Sequence, residues 1–145
     1  MSENLKERIR SDTNDARRAR DKLRTAVLTM TLSEIRNREI ELGREAADPD
    51  VIEVVNRAIK RRREAAEQMH KGGRTDLADK EEQEAKLLGE YLPPALAEAE
   101  VRDYVREAIA GGADSMGAVM GAIMPRIKGR FDGKEANRIV REELE

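Results

Sequence analysis

No helix can run through Pro93-Pro94. Neither proline offers a backbone N–H, and each biases the residue before it away from the helical region. The pair predicts a stiff connector between a helical N-terminal domain over residues 1–92 and a smaller domain over residues 95–145. Glycines divide the remainder into pieces of helical length: Gly43, Gly72-Gly73 and Gly111-Gly112.

Between these breaks the apolar residues recur with helical spacing. An amphipathic stretch carrying Leu5 and Ile9 comes first. The run Asp21 to Leu42 then sets Leu23, Val27 and Met30 on one side, joined by Leu28, Leu32 and Ile35, and ends at Gly43. Asp48-Pro49 reads as an N-cap followed by an early proline, opening a helix with Val51, Val55, Ile59, Ala66 and Met69. Thr75 reads as the cap of the next helix, which runs through Ala85 and Leu88 to Leu92. Past the prolines, Val101, Tyr104, Val105, Ala108 and Ile109 form one face. Ser115 opens a second helix, and Asp132-Gly-Lys-Glu135 matches a capping box for a third with Ala136, Ile139, Val140 and Leu144. The predicted fold is all-α, with a bundle of about four helices followed by a small three-helix domain.

Composition supports that class and removes several functions. Charged residues make up 40% of the 145 residues and aromatics only 2%, namely Tyr91, Tyr104 and Phe131. Strand-built RNA modules that stack bases on aromatic platforms are excluded. The absence of cysteine removes disulfides, thiolate metal sites and a cysteine nucleophile. No apolar run approaches the length of a membrane span, so no membrane partner is expected and a cytoplasmic location is.

Chemistry-bearing motifs are sparse. The single histidine, His70, stands beside Lys71 just before Gly72-Gly73, where a cation complements the helix dipole. Glu81, Glu82 and Glu84 interleave with Lys80 and Lys86 as a solvated helix face. No Walker-type loop or metal-binding loop is spelled out, so no catalytic residue, metal or cofactor is predicted.

The net charge is −2, so phosphate binding would have to come from local patches. Three basic segments qualify. Arg17, Arg18, Arg20, Lys22 and Arg24 stand against Asp21 within the segment, and an acidic counterweight is expected for them as for the second segment. Arg57, Lys60, Arg61, Arg62, Arg63, Lys71 and Arg74 have a counterweight in the acidic stretch from Asp76 to Glu100, and interhelix charge pairing is the favoured reading there. The third contains Arg126, Lys128, Arg130, Lys134 and Arg138 and spans the Gly129 break and the start of the last helix. Free N–H groups at a helix start add to such side chains in gripping phosphate, although Asp132 as N-cap competes for those donors. In the preceding segment Met116, Met120 and Met124 recur at four-residue spacing and read as core, or alternatively as a partner groove. Gly117 and Gly121 are expected to admit another helix closely, and Pro125 to loosen the last turn.

Two long motifs carry a family resemblance: GRTDLADKEEQEAKLLGEYLPPAL from Gly73 to Leu96, and MGAVMGAIMPRIKGRFDGKEANRIV from Met116 to Val140. Together with DKLRTAVLTMTLSEIRNREIE and IKRRREAAEQMHKGGR, they resemble the GatB/YqeY family over nearly the whole chain. The resemblance implies a stand-alone YqeY-like protein whose C-terminal domain is similar to the tail of the B subunit of Asp-tRNA/Glu-tRNA amidotransferase. That tail engages tRNA, whereas the enzyme's catalytic work belongs to other domains and subunits. By implication Lys128, Gly129 and the following helix start match the family's KG-loop, flanked by Arg126 and Lys134. Ala97 stands where the family usually caps the first tail helix with Ser or Thr.

The expected function is therefore a non-catalytic accessory that binds tRNA or another structured RNA, with Arg126, Lys128, Gly129, Arg130, Lys134 and Arg138 as its nucleic-acid-binding residues. The alternative is a module that docks a protein partner through the C-terminal domain. A carbon–nitrogen ligase with glutamine as amido donor is a third reading that rests on family inheritance alone.

Overall fold

The computed structural model describes residues 4–145, and among them every regular element is a helix. Contacts divide the chain into two compact units, one ending at Leu92 and the other Pro93–Glu145.

The first unit contains α1 (Leu5–Arg18), α2 (Lys22–Leu42), α3 (Asp48–Lys71) and α4 (Thr75–Gly89). Two hairpins build it, α1 with α2 and α3 with α4, and α2 also touches α3 and α4. That central position explains why apolar residues are spread so widely around α2: Val27, Leu28 and Ile35 are buried against Ile9, Val51, Val55 and Leu88. Met30 does not join this core, being 54% exposed. Its sulfur lies 3.5 Å from the Arg62 guanidinium. Arg62 is itself buried, donating to the Ala58 carbonyl at 3.0 Å and to Glu84 at 3.3 Å. Part of the surface beneath Met30 is therefore a cation.

Local punctuation accounts for the helix ends. Asp21 accepts from the Arg24 N–H at 3.0 Å and starts α2, and Gly43 ends it at φ 71°, a conformation that costs residues other than glycine. Two expected caps differ. α3 starts one residue early, with Ala47 as N-cap, and Asp50 reaches back to the Ala47 N–H at 2.9 Å. Asp48 instead accepts from the Leu5 N–H at 2.8 Å, so it satisfies the start of α1. Thr75 is already helical, preceded by Arg74 as N-cap. α4 stops at Gly89, and turn hydrogen bonds carry the backbone on to Leu92. There Tyr91 is buried and its hydroxyl donates to Asp12 at 2.5 Å. Burial, reinforced by that hydrogen bond, pushes the phenol pKa upward.

The second unit contains α5 (Glu98–Ala110), α6 (Met116–Ile127) and α7 (Gly133–Leu144), each packed on the other two. Its core is Leu96, Val101, Val105, Val119, Ile123, Ile127, Ala136, Ile139 and Val140. The buried stripe of α6 is thus Val119, Ile123 and Ile127. Met116 and Met120 pack at its margin, and Met124 is 37% exposed. Gly117 and Gly121 admit no close helix within the unit: a Cβ added at either meets nothing within 4 Å. Ser115 caps α6, accepting from the Ala118 N–H at 3.2 Å. Asp132 caps α7, but Glu135 pairs with Arg138 and does not close a capping box. At α5 the missing Ser or Thr is offset by Glu100, which accepts from the Ala97 N–H at 2.9 Å.

Candidate functional site

The Lys128–Asp132 connection between α6 and α7 is tightly determined. Lys128 leaves the helix with ψ 125°, and Gly129 turns the chain at φ 76°. The Arg130 and Phe131 N–H groups both return to the Ile127 carbonyl, at 2.8 and 3.1 Å. Arg130 then grips the segment entering α5. Its carbonyl accepts from the Leu96 N–H at 2.8 Å, and its guanidinium Nε donates to the Pro94 carbonyl at 3.2 Å. Arg130 is half-buried and holds the loop together from inside.

The five cations expected to form one basic edge separate into distinct roles. Arg126 donates to Glu107 at 2.8 Å and lies 3.7 Å over the Tyr104 ring, so its charge is compensated from α5. Arg138 is held by Glu98, Glu135 and Glu142. Lys128 and Lys134 are exposed and have no ion-pair partner among the described residues. The connection therefore presents two available ammonium groups on either side of Gly129, with Arg130 as anchor.

Elsewhere in this unit the ion pairs form a network. Arg102 bonds Glu98, Glu142 and Glu143, and Arg106 bonds Glu143. These partners hold the carboxyls of Glu98, Glu142 and Glu143 below the usual carboxylate range: Glu98 chiefly through Arg138, Glu142 through Arg102, and Glu143 through Arg106.

In the first unit, interhelix pairing of the second basic segment is realised in part. Arg62 meets Glu84, and His70 Nε2 lies 3.1 Å from Glu82 Oε1, whereas Arg61 turns to Glu34 on α2. His70 does occupy the last turn of α3. With Asp79 and Glu82 it offers three ligand atoms within 4.8 Å of one another, all on exposed residues, the one such set among the described residues that could hold a metal ion.

One feature lies outside any sequence motif. Between α1 and α2 lies a half-open groove of about 310 Å³ lined by Arg10, Asn14 and Arg17 from one helix and Thr29, Ser33 and Arg36 from the other. In the sequence it leaves two traces, Arg17 in the first basic segment and the helical spacing of Lys6, Arg10, Asn14 and Arg17.

A four-helix unit followed by a three-helix unit, joined at a proline pair, defines a small all-helical protein. The chain belongs to the Yqey-like protein family, whose model matches residues 6–144. It is 37% identical over 90 residues to an uncharacterized protein of Schizosaccharomyces pombe, covering 62% of this chain and 73% of that one. It is also similar to Altered inheritance of mitochondria protein 41, mitochondrial, of Pyrenophora tritici-repentis, at 28% identity over 128 residues, covering 85% of this chain and 71% of the relative. The protein of the same name from Lachancea thermotolerans is 30% identical over 96 residues, covering 64% of this chain and 51% of its own length. No helix among the described residues is long and apolar enough to cross a membrane.

Proposed function

We propose that this protein is a non-catalytic RNA-binding accessory, with tRNA as its main partner, acting in tRNA-dependent amidation or in translation. The observation that carries this reading is the α6–α7 connection, where Lys128 and Lys134 stand exposed and without ion-pair partners around a fixed glycine turn. Ammonium groups of this kind bind phosphate as point charges, and RNA helices are recognised largely through shape, phosphates and 2′-hydroxyls. The resemblance of this segment to the amidotransferase tail adds support. Arg126 and Arg138 belong to the same reading, but their carboxylate partners would have to be displaced before either met a phosphate. For location the reading is the cytoplasm, with the mitochondrion of the relatives' names as the alternative.

The test is fluorescence anisotropy with labelled bulk tRNA at low ionic strength, comparing the intact protein with Lys128→Ala/Lys134→Ala. Binding lost or strongly weakened in the double variant supports the reading. Absent binding, or binding indifferent to the two charges, removes it.

A second reading, docking of a protein partner, is favoured by one observation: Gly117, Ala118, Gly121, Ala122 and Met124 are exposed along α6. Under that reading Gly121→Leu abolishes capture of the partner, while the lysine double variant is silent.

A further inference from the structure

The groove between α1 and α2 differs in kind from the rest of this protein's charged surface. Most arginines here lie against carboxylates: Arg38 with Glu41, Arg44 with Asp50 and Arg57 with Glu53 are examples. Arg17 and Arg36, which line the groove, have no ion-pair partner among the described residues. Arg17 donates only to the Asn14 side-chain oxygen, at 3.2 Å, which leaves the Asn14 amide NH₂ as a further donor. Arg10 shares its charge with Glu7 at 2.8 Å. The hydroxyls of Thr29 and Ser33, one turn apart on α2, have no hydrogen bond within the described residues.

One end of the groove is fixed. Lys6, almost fully buried, donates to Glu39 at 2.9 Å, and Glu39 also accepts from the Ala46 N–H at 2.8 Å. This arrangement consumes the one carboxylate in the lining, so it does not repel an anion from the remaining cations. Leu32 and the buried Ile35 contribute apolar surface to the wall. At the other end Arg17 also borders a shallow depression of about 390 Å³ with Arg20 and Lys22, two more cations without ion-pair partners among the described residues. Exposed cations therefore continue from the groove past the α1–α2 turn. A cavity of about 310 Å³ falls at the lower end of the roughly 300–1,000 Å³ range of small-molecule sites.

Arginines that line one groove together with hydroxyl and amide side chains offer the donor types that match the oxygens of a phosphate group. We infer that the α1–α2 groove is a phosphate-binding site, with Arg17 and Arg36 as its principal contacts and Asn14, Thr29 and Ser33 as supporting donors. The phosphate belongs either to a free nucleotide or to an RNA backbone, since both present the same oxygens. This site is independent of the α6–α7 connection and does not rest on the function proposed above.

The test is an amide-resolved NMR titration of the full chain with inorganic phosphate, with adenosine 5′-monophosphate and with bulk tRNA. Each is repeated on Arg17→Ala/Arg36→Ala, on Ser33→Asp and on Arg63→Ala, an exposed arginine outside the groove. All altered residues are exposed, and far-UV circular dichroism checks that each variant is folded. Shifts confined to groove amides with phosphate and nucleotide, weakened about tenfold or more by the double variant and by Ser33→Asp, establish a small-ligand site. Groove shifts with tRNA alone, with the same variant dependence, establish an RNA-backbone site. The inference is overturned if no probe moves the groove amides, or if Arg63→Ala weakens binding as much as the double variant. Lys128→Ala/Lys134→Ala should leave nucleotide binding unchanged, so failure of the tail interface and failure of the groove are read separately.

Discussion

Arg20 is the one non-glycine residue with positive φ among the described residues, at 60°, in the turn between α1 and α2. Left-handed backbone costs an L-residue on the order of 1 kcal/mol, and glycine relieves it. Arg20→Gly should raise stability by up to about 1 kcal/mol, read as a higher urea midpoint with unchanged slope. A lower midpoint would show that the arginine side chain stabilises the turn. Glu84 gives the opposite case. It is 15% exposed, and its partner Arg62 8%, so its removal strands a buried guanidinium that keeps only the Ala58 carbonyl and the weakly accepting Met30 sulfur. Glu84→Ala should cost about 3 kcal/mol, whereas an exposed pair such as Arg18 with Asp15 should contribute well under about 1 kcal/mol. A similar small loss at both sites, by chemical denaturation, would contradict the burial argument. Residues of this kind also show where the sequence was readable. Asp21 and Ser115 cap the helices they precede because capping is local. Asp48 escaped because it serves the Leu5 N–H, 43 residues away, which no window of sequence reveals.

At the scale of helices, apolar periodicity placed most elements and the cores they build, because burial depends on the spacing within each helix. The electrostatics of the tail edge were less legible for a physical reason. Counting charges between Arg126 and Arg138 sees a basic segment, but Glu107 and Glu98 reach into it from α5. The groove between α1 and α2 was hidden for the same reason, since its two walls lie on different helices. The ion-pair network joining α5 to α7 makes a testable statement about acid. Glu98, Glu142 and Glu143 have depressed pKa values in the fold, so their stabilisation is present above the ordinary carboxylate pKa and is lost as pH falls through the folded values. Hydrogen-exchange protection of α5 and α7 should drop as pH falls below the ordinary carboxylate pKa, after correction for intrinsic exchange. Arg102→Ala should flatten part of that dependence. An unchanged pH profile in the variant would show that the network contributes nothing to folding.

For the molecule as a whole, the core from Leu96 to Val140 closes on residues of α5, α6 and α7 and their entry segment. A fragment spanning 93–145 should accordingly fold by itself, with a cooperative thermal transition and dispersed amide resonances, although its roughly 50 residues leave it marginal. A non-cooperative melt would show that the core is insufficient on its own. The proposed function rests on which exposed cations meet phosphate, and electrostatic binding has a direct signature in salt. Each phosphate neutralised contributes about 0.7 to 0.9 to the slope of log affinity against log salt concentration. The most direct measurement is that slope for tRNA, for the intact protein and for Lys128→Ala/Lys134→Ala. The proposed interface predicts a slope smaller in magnitude by about 1.4 to 1.8 in the variant, with helicity unchanged. Equal slopes in the two proteins would contradict it.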